Sequence, residues 1–338
     1  MWEPVTAVLD YDRWLAAVYQ DQTLITQFDE DEPDWNHPAS RDGGAPTSSS
    51  TLPSLVVRMW ADAEVYEGHT VLEVGAGTGY STALACEHLG SDAVTAIEVD
   101  PCRLDQAAAA LYGCGYSPDL AVADGLYGYW PSAPFDRIVA ACSVRTIPPA
   151  WLAQTHPGGK ILTTLGGWLH GYARVLLTVA ADGTAQGSLL PGTISFMPAR
   201  SHAAPAFGNP AHWASTLPEA ARPARHSPDR INAATEEAFH LRFLAQCAAG
   251  NAQMTIVNET VYLVDVVSGS AATLTPHADT WQVRQTGPLH LWDRIETVMD
   301  AYDQAGQPAP ETFRLRVDGD GQHLHHPQLP QLAFPTPT

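Results

Sequence analysis

The sequence predicts an α/β protein with a doubly wound, mainly parallel, Rossmann-like sheet, followed by a smaller C-terminal α+β domain. Three observations carry this expectation. Between residues 70 and 165, short apolar runs of strand length alternate with helix-length segments, the pattern of a sheet with crossover helices. A glycine-rich turn at 75–79 joins the first of those runs to a helix. A proline-punctuated stretch at 198–230 then interrupts the alternation, and a second compact pattern resumes at Ile231. A length of 338 residues also exceeds the usual size of one domain.

In chain order, residues 10–19 suit a short amphipathic helix with Leu15, Val18 and Tyr19 on one face. Residues 28–35 form an acidic segment whose four consecutive acids, Asp29 to Glu32, read as a solvated loop rather than a cation site. Residues 41–50 are Gly/Pro/Ser-rich and read as loop. A helix is expected over 52–66, with Pro53 in its first turn. Strands follow at 70–74, 93–99, 120–122, 135–141, 160–165, 172–180 and 193–197, with helices at 80–89, 101–111 and 149–154. Residues 198–230 read as a linker or surface arm. The last region carries helices at 232–249 and 289–305 and strands at 254–258, 260–267, 280–286 and 312–318. The tail with His323, His325 and His326 reads as a frayed end. The expected organisation is an N-terminal segment 1–50, a first domain 51–198, a linker 199–230 and a small domain 231–330.

Charge is the outlier. Seventeen basic against 37 acidic residues give a formal net charge of −20, a field that repels phosphate backbones and anionic membranes. Nucleic acid and membrane are therefore excluded as expected partners. Lys160 is the only lysine, which with the alanine-rich composition suits GC-biased coding. No apolar run approaches the ~20 residues that span a bilayer, and the first ten residues lack the basic and apolar regions of a signal peptide. The five cysteines are odd in number and form no CxxC pair, which suits a reducing cytoplasm and neither a disulfide scaffold nor a structural zinc site. No metal ligand set is expected.

The strongest motif is Val71-Leu72-Glu73-Val74 followed by Gly75-Ala76-Gly77-Thr78-Gly79. Glycines let a backbone approach a ligand, and the amides that open the next helix face it. A dinucleotide turn would need glycine where Tyr80 stands. The observed G-x-G-x-G spacing, with an acid two residues upstream, is the pattern of S-adenosylmethionine methyltransferases. Glu73 suits the cationic methionine end of that cofactor, directly or through water. Glu98, followed by Val99, closes the second strand 19 residues beyond Gly79, where an acid can accept from ribose hydroxyls. Asp100 is the competing acid. Asp124 ends the third strand, placed to accept from the adenine amino group, and Gly125 lets the chain turn beneath the ring.

Thr51-Leu-Pro-Ser-Leu-Val-Val-Arg-Met59, the glycine motif through Tyr80, Asp124-Gly125, Pro134-Phe-Asp-Arg-Ile138, Ile147-Pro-Pro149 and Pro157-Gly-Gly159 together resemble the protein-L-isoaspartate O-methyltransferase family, over about 51–167. The resemblance implies a class I S-adenosylmethionine methyltransferase that esterifies a peptide carboxylate and leaves S-adenosylhomocysteine. It also implies that Ser49-Ser50-Thr51 falls on the family's active-site loop, with Thr51 at the position of its serine and Ser49 at that of its threonine. Ser50 is the alternative in a shifted register, and a helix cap is the competing role for all three. Tyr19, Gln20, Asp21 and Leu24 correspond to the segment before that loop. Two departures are expected to matter: the acidic Pro/Gly-rich insert between Phe28 and Thr47, and residues 231–330, for which the shorter repair enzymes have no counterpart. Such a C-terminal unit, and the segment Trp281 to Asp293, make the chain similar to homologues encoded beside ATP-grasp (graspetide-type) ligases. The implied substrate is then a macrocyclised precursor peptide bearing an acidic residue, whose methyl ester closes to a succinimide. A carboxylate is already ionised at neutral pH, so the implied chemistry needs no general base.

Overall fold

The computed structural model describes residues 1–334 and parts the chain into two compact units, Met1–Ala141 and Cys142–Thr338.

The first unit opens with helix α1 (Tyr11–Val18) and an antiparallel hairpin of β1 (Leu24–Phe28) and β2 (Pro46–Ser50). Helix α2 (Pro53–Asp62) follows, then β3 (Val71–Val74), α3 (Tyr80–Leu89), β4 (Val94–Glu98), α4 (Pro101–Gly113), β5 (Asp119–Val122) and β6 (Phe135–Val144). The last four strands lie in the order β6-β3-β4-β5, all parallel, with Val71 opposite both Val94 and Arg137. The apolar runs are continuous rather than alternating because helices cover both faces. Leu72, Ala96, Ile97 and Ile138 are fully buried. Parallel pairing brings the carboxyl ends of β3, β4 and β5 to one edge, where open α/β sheets bind ligands.

The second unit contains α5 (Pro149–Ala153), β7 (Thr155–Gly166), β8 (Tyr172–Val179), β9 (Ala185–Leu189), α6 (Pro210–Ser215), β10 (Arg222–Pro223), α7 (Asp229–Asn232) and α8 (Glu236–Ala249). These lead to β11 (Gln253–Val257), β12 (Thr260–Asp265), β13 (Ser270–His277), β14 (Thr280–Thr286), α9 (Leu291–Gln304), β15 (Arg314–Asp318), β16 (Gly321–His325) and β17 (Leu332–Ala333). One antiparallel sheet runs β7-β8-β9-β15-β16-β17 and another β10-β14-β13-β12-β11.

Several expectations change. The hairpin strand β2 falls in the segment expected to be loop, and β9, β13 and β16 were not expected, whereas 193–197 is not a strand. Gly187 weakens the strand pattern of β9, yet a Cβ there would collide with the Leu176 carbonyl of β8. Residues 231–330, expected as one small domain, divide between two sheets: Leu315 of β15 pairs with Gly187 of β9. The compact units part at Ala141 rather than at 199–230. The supposed linker contributes α6 and β10, the latter paired with β14. The histidine tail is not frayed: β16 is a strand, and His326 is buried with its ring 5.0 Å from Phe313.

Candidate functional site

The chain leaves β3 through Gly75, Gly77 and Gly79, with φ of +95°, +55° and +80°, a region that strains any L side chain. The turn is pinned to the neighbouring strand. The amides of Gly75 and Ala76 donate to the Ile97 carbonyl at 2.8 and 3.1 Å. The Gly77 amide donates to Glu98 Oε2 at 3.0 Å. A Cβ on Gly79 would stand 3.3 Å from the Ala107 carbonyl, so α4 packs directly on the turn. Gly79 caps α3 with no side-chain acceptor, leaving the helix's first amides available to a ligand. Thr78 is half-buried beside them.

Glu73 is fully buried, and the Thr82 hydroxyl donates to its Oε2 at 2.5 Å. Its Oε1 is buried with no hydrogen-bond partner. Burial pushes the carboxyl up from 4.5 to about 7, and nearby Glu98 adds to the rise against the hydroxyls of Ser81 and Thr82. Glu98 is half-buried at the end of β4 and accepts, besides Gly77, the amides of Val99 and Asp100 at 2.9 and 3.2 Å. Val99 itself is 39% exposed. Asp100, the competing acid, is committed elsewhere: its Oδ1 caps α4 through Cys102 and Arg103, and its Oδ2 accepts from Gln27 Nε2 at 2.9 Å. Asp124 follows β5 and accepts from the Leu126 amide at 2.9 Å. Ala123 donates to the Glu98 carbonyl at 2.9 Å, which sets the ends of β4 and β5 side by side. Gly125 is glycine because a Cβ there would overlap Val74 of β3.

Ser49 and Ser50 end β2, opposite Ile25 and Leu24, and Thr51 follows; all three are half-buried. The position a Cβ on Gly77 would occupy lies 3.7 Å from the Ser49 carbonyl, so this strand passes beside the glycine turn. The cap role does not fall to these hydroxyls. Leu52 is the N-cap of α2, with no side-chain cap. The Leu52 amide instead donates to Thr23 Oγ1 at 3.3 Å and that of Ser54 to Asp21 Oδ1 at 2.8 Å. Among the described residues, no protein group is hydrogen-bonded to the Ser49, Ser50 or Thr51 hydroxyls. Sequence inspection missed Asp21 and Thr23 as positioning residues, because a cap supplied from some 30 residues upstream has no local signature.

The four acids Asp29 to Glu32 are exposed, as expected of a solvated loop, and three of them are also paired. Asp29 and Asp31 pair with Arg41, and Glu32 with Arg103. Glu32, Asp100 and Cys102 bring ligand-type atoms within 4.8 Å of one another, but Arg103 and the α4 cap already satisfy the two carboxylates. No helix among the described residues is long and apolar enough to cross a membrane.

A sequence profile of the protein-L-isoaspartate(D-aspartate) O-methyltransferase (PCMT) family matches residues 18–188, just over half of the chain. The chain belongs to the PCMT family. Similar curated relatives include the protein-L-isoaspartate O-methyltransferase of Thermococcus onnurineus (strain NA1), 34% identical over 139 residues, which are 40% of this chain and 61% of that one. That of Methanopyrus kandleri (strain AV19) is 38% identical over 119 residues, 34% of this chain and 53% of the relative. The chain thus spans between about half and three-fifths of these relatives' length. A solved structure named protein-L-isoaspartate O-methyltransferase shares the fold, with a TM-score of 0.51 and 20% identity over 93% of this chain and 88% of that one. Its coverage corrects one expectation: a fold extending well beyond the shared core is not peculiar to this chain. The PCMT profile takes in the hydroxyl strand, the glycine turn, Glu98 and Asp124, and leaves out residues 1–17 and 189–338.

Proposed function

We propose that this PCMT-family chain transfers a methyl group from S-adenosylmethionine to an aspartyl or isoaspartyl carboxylate of a peptide. The observation that carries the proposal is the approach of the Ser49–Ser50 strand end to the glycine turn, where no protein group among the described residues is hydrogen-bonded to the Ser49, Ser50 or Thr51 hydroxyls. The residues suit that donor in charge and shape. Glu73 Oε1 is an unsatisfied buried acceptor, matched to the cofactor's ammonium through water. Gly75, Ala76, Gly77, Thr78 and Gly79 present an uncapped helix start to its carboxylate. Glu98 and Val99 would take the ribose, and Asp124 and Gly125 the adenine. Three of the roughly four acceptor positions on Glu98 already hold amides, so the ribose shares or displaces the Gly77 contact.

When bound, S-adenosylmethionine supplies a methyl on a sulfonium, which a carboxylate oxygen can take as sulfur leaves as a neutral thioether. The chain's own residues then have three tasks. Thr51, with Ser49 and Ser50, orients one carboxylate oxygen by donating to it. Half-burial of the strand strips water from that oxygen. Asp21 and Thr23 fix the strand's exit into α2, since catalysis by positioning is lost when reactants shift by about 1 Å. No proton changes hands, so no histidine is needed.

Within this activity, the acceptor is a ribosomally made, macrocyclised precursor peptide, and its ester closes to a succinimide. The acidic Pro/Gly-rich segment between Phe28 and Thr47 and the Trp281–Asp293 segment support a dedicated substrate. General isoaspartate repair is the second reading, favoured by the breadth of the fold match to a protein named for that activity. The deciding experiment incubates the full chain and S-adenosylmethionine with linear isoaspartyl peptides of unrelated sequence and with side-chain-cyclised aspartyl peptides. Mass gain confined to the cyclised set supports the dedicated reading. Uniform methylation of the linear set supports repair. No transfer to either set, with donor binding intact, overturns the acceptor assignment.

A further inference from the structure

We infer that a groove in the N-terminal part of the first unit docks the peptide segment flanking the acceptor carboxylate, and that this segment carries aromatic or aliphatic side chains with a basic residue. The inference rests on the carboxyl-methyltransferase proposal above and adds the recognition chemistry. The groove encloses about 930 Å³, and all its lining residues lie between Trp2 and Arg41. Residues 1–17 lie outside the span matched by the family profile, and much of the remaining wall is the acidic insert. Nine of its lining residues thus lie outside that span, and the rest, from Val18 to Arg41, lie within it.

Its position suits an acceptor's flank. Leu24 and Ile25 of β1 line the groove and pair with Ser50 and Ser49 of β2. Neighbouring strands stand about 4.8 Å apart, so the groove wall is one strand away from the hydroxyls. An extended peptide advances about 3.4 Å per residue, which puts the flank only a few residues from the methylated side chain.

The lining supplies anchors and sign. Trp2 and Trp35 are 44% and 41% exposed and share the groove with Trp14 and Phe28, the residue types that dominate peptide recognition. Four carboxylates, Glu3, Asp31, Glu32 and Asp34, line it against the guanidinium of Arg41 and the ring of His37. Glu3, Asp31 and Glu32 are paired with arginines. Asp34, at the rim, pairs with the exposed His37. An enzyme of net charge −20 repels the acidic acceptor it must bind. A basic flank offsets that repulsion.

The test uses the full chain and two synthetic isoaspartyl peptides with the same acceptor. One is flanked by Trp-Lys-Leu-Lys and the other by Gly-Glu-Ser-Glu. Binding is read by fluorescence anisotropy of labelled peptide with S-adenosylhomocysteine present, and turnover by methyl transfer. The basic apolar flank should lower Kd and KM by about tenfold with kcat unchanged. The ratio should shrink in ~0.5 M salt and collapse toward one in Trp35→Ala and in Trp2→Ala. Equal Kd for both peptides, or a ratio that survives both variants, overturns the groove. If the anisotropy preference is present and lost in Trp35→Ala while neither peptide is methylated, the groove stands and the transfer proposal fails. If both are methylated without preference, the transfer stands and the groove fails.

Discussion

Two clusters of acids, one in each unit, are handled in opposite ways. On α9, Asp293, Glu296, Asp300 and Asp303 face a ladder of three arginines and His226 from the 222–230 segment. Arg222 and Arg225 reach fully buried Glu296 at 2.8 and 3.2 Å, Arg225 and His226 hold Asp300 at 3.0 and 2.7 Å, and Arg230 grips Asp303 at 2.8 Å. Beside the glycine turn, Glu73 and Glu98 have no arginine or lysine partner among the described residues. They meet amides and hydroxyls, and Glu98 adds to the cost of ionising Glu73. Compensated acids hold an arm to a helix. Uncompensated acids at strand ends leave a deficit of positive charge, which a sulfonium and an ammonium would fill. Buried carboxylates need partners, so the missing cation is what points to a ligand.

The largest effect should come from breaking the compensated set. Glu296→Ala strands Arg222 and Arg225 and removes the acceptor of the Trp292 indole, bonded at 2.9 Å. The loss should be about 3 kcal/mol, the lower end for a broken buried pair because the two arginines are part-exposed. Urea unfolding measures it, and an unchanged midpoint would show the ladder to be decorative.

The uncompensated set should appear as a pH dependence. The folded protein holds a proton on Glu73 up to about pH 7, whereas the unfolded chain releases it near 4.5. Between those values the native state binds more protons, so stability falls as pH rises through the window, by up to about 3 kcal/mol. Glu73→Gln should flatten that slope, as should saturating S-adenosylmethionine. In the second unit the sign reverses. Burial lowers His240 from 6.5 to about 4, so its contribution is lost as pH falls through that range. Thermal melts from pH 4 to 8 of the parent and of Glu73→Gln separate the two slopes. A Glu73→Gln slope identical to the parent's would mean the glutamate ionises without cost.

Glu98→Ala should weaken S-adenosylmethionine binding by about 1.5–3 kcal/mol, the value of hydrogen bonds to a charged acceptor. Calorimetry with unaltered affinity would remove Glu98 from the donor site and leave it only the task of tying Gly77 to α4.

The half of the site that repeats a backbone necessity was legible in the sequence. Three glycines at positive φ and a strand ending in an acid can be read locally, and so could β3, β4 and the turn between β3 and α3. The hairpin could not. Pro46-Thr-Ser-Ser-Ser50 has no apolar alternation and becomes a strand only because Leu24–Phe28 supplies the partner. The α9 ladder was equally invisible, since its arginines lie about 70 residues from their acids. The tail misled for the same reason: His323 and His325 look like loose polar residues until β15 pairs with them.

The smallest expected effect bears on the hydroxyl strand, where sequence alone left a cap and a substrate contact both open. Thr51→Val keeps the shape and deletes the hydroxyl. Were Thr51 the cap of α2, the change would cost about 1 kcal/mol of stability. The amides at that helix start are served by Thr23 and Asp21 instead, so stability should shift by less than about 0.5 kcal/mol, the usual range for a substitution that breaks no named interaction. Turnover should fall about tenfold, or ~1.4 kcal/mol of transition-state stabilisation, with S-adenosylmethionine affinity intact. Asp21→Ala is the matched control: it should lower stability by removing the cap on the Ser54 amide, and its turnover should fall only as far as the strand's exit loosens. Denaturation and single-turnover methylation on both variants give the four numbers. A stable Thr51→Val enzyme with undiminished turnover would move the acceptor contact to Ser49 or Ser50. A destabilised one would return Thr51 to the helix.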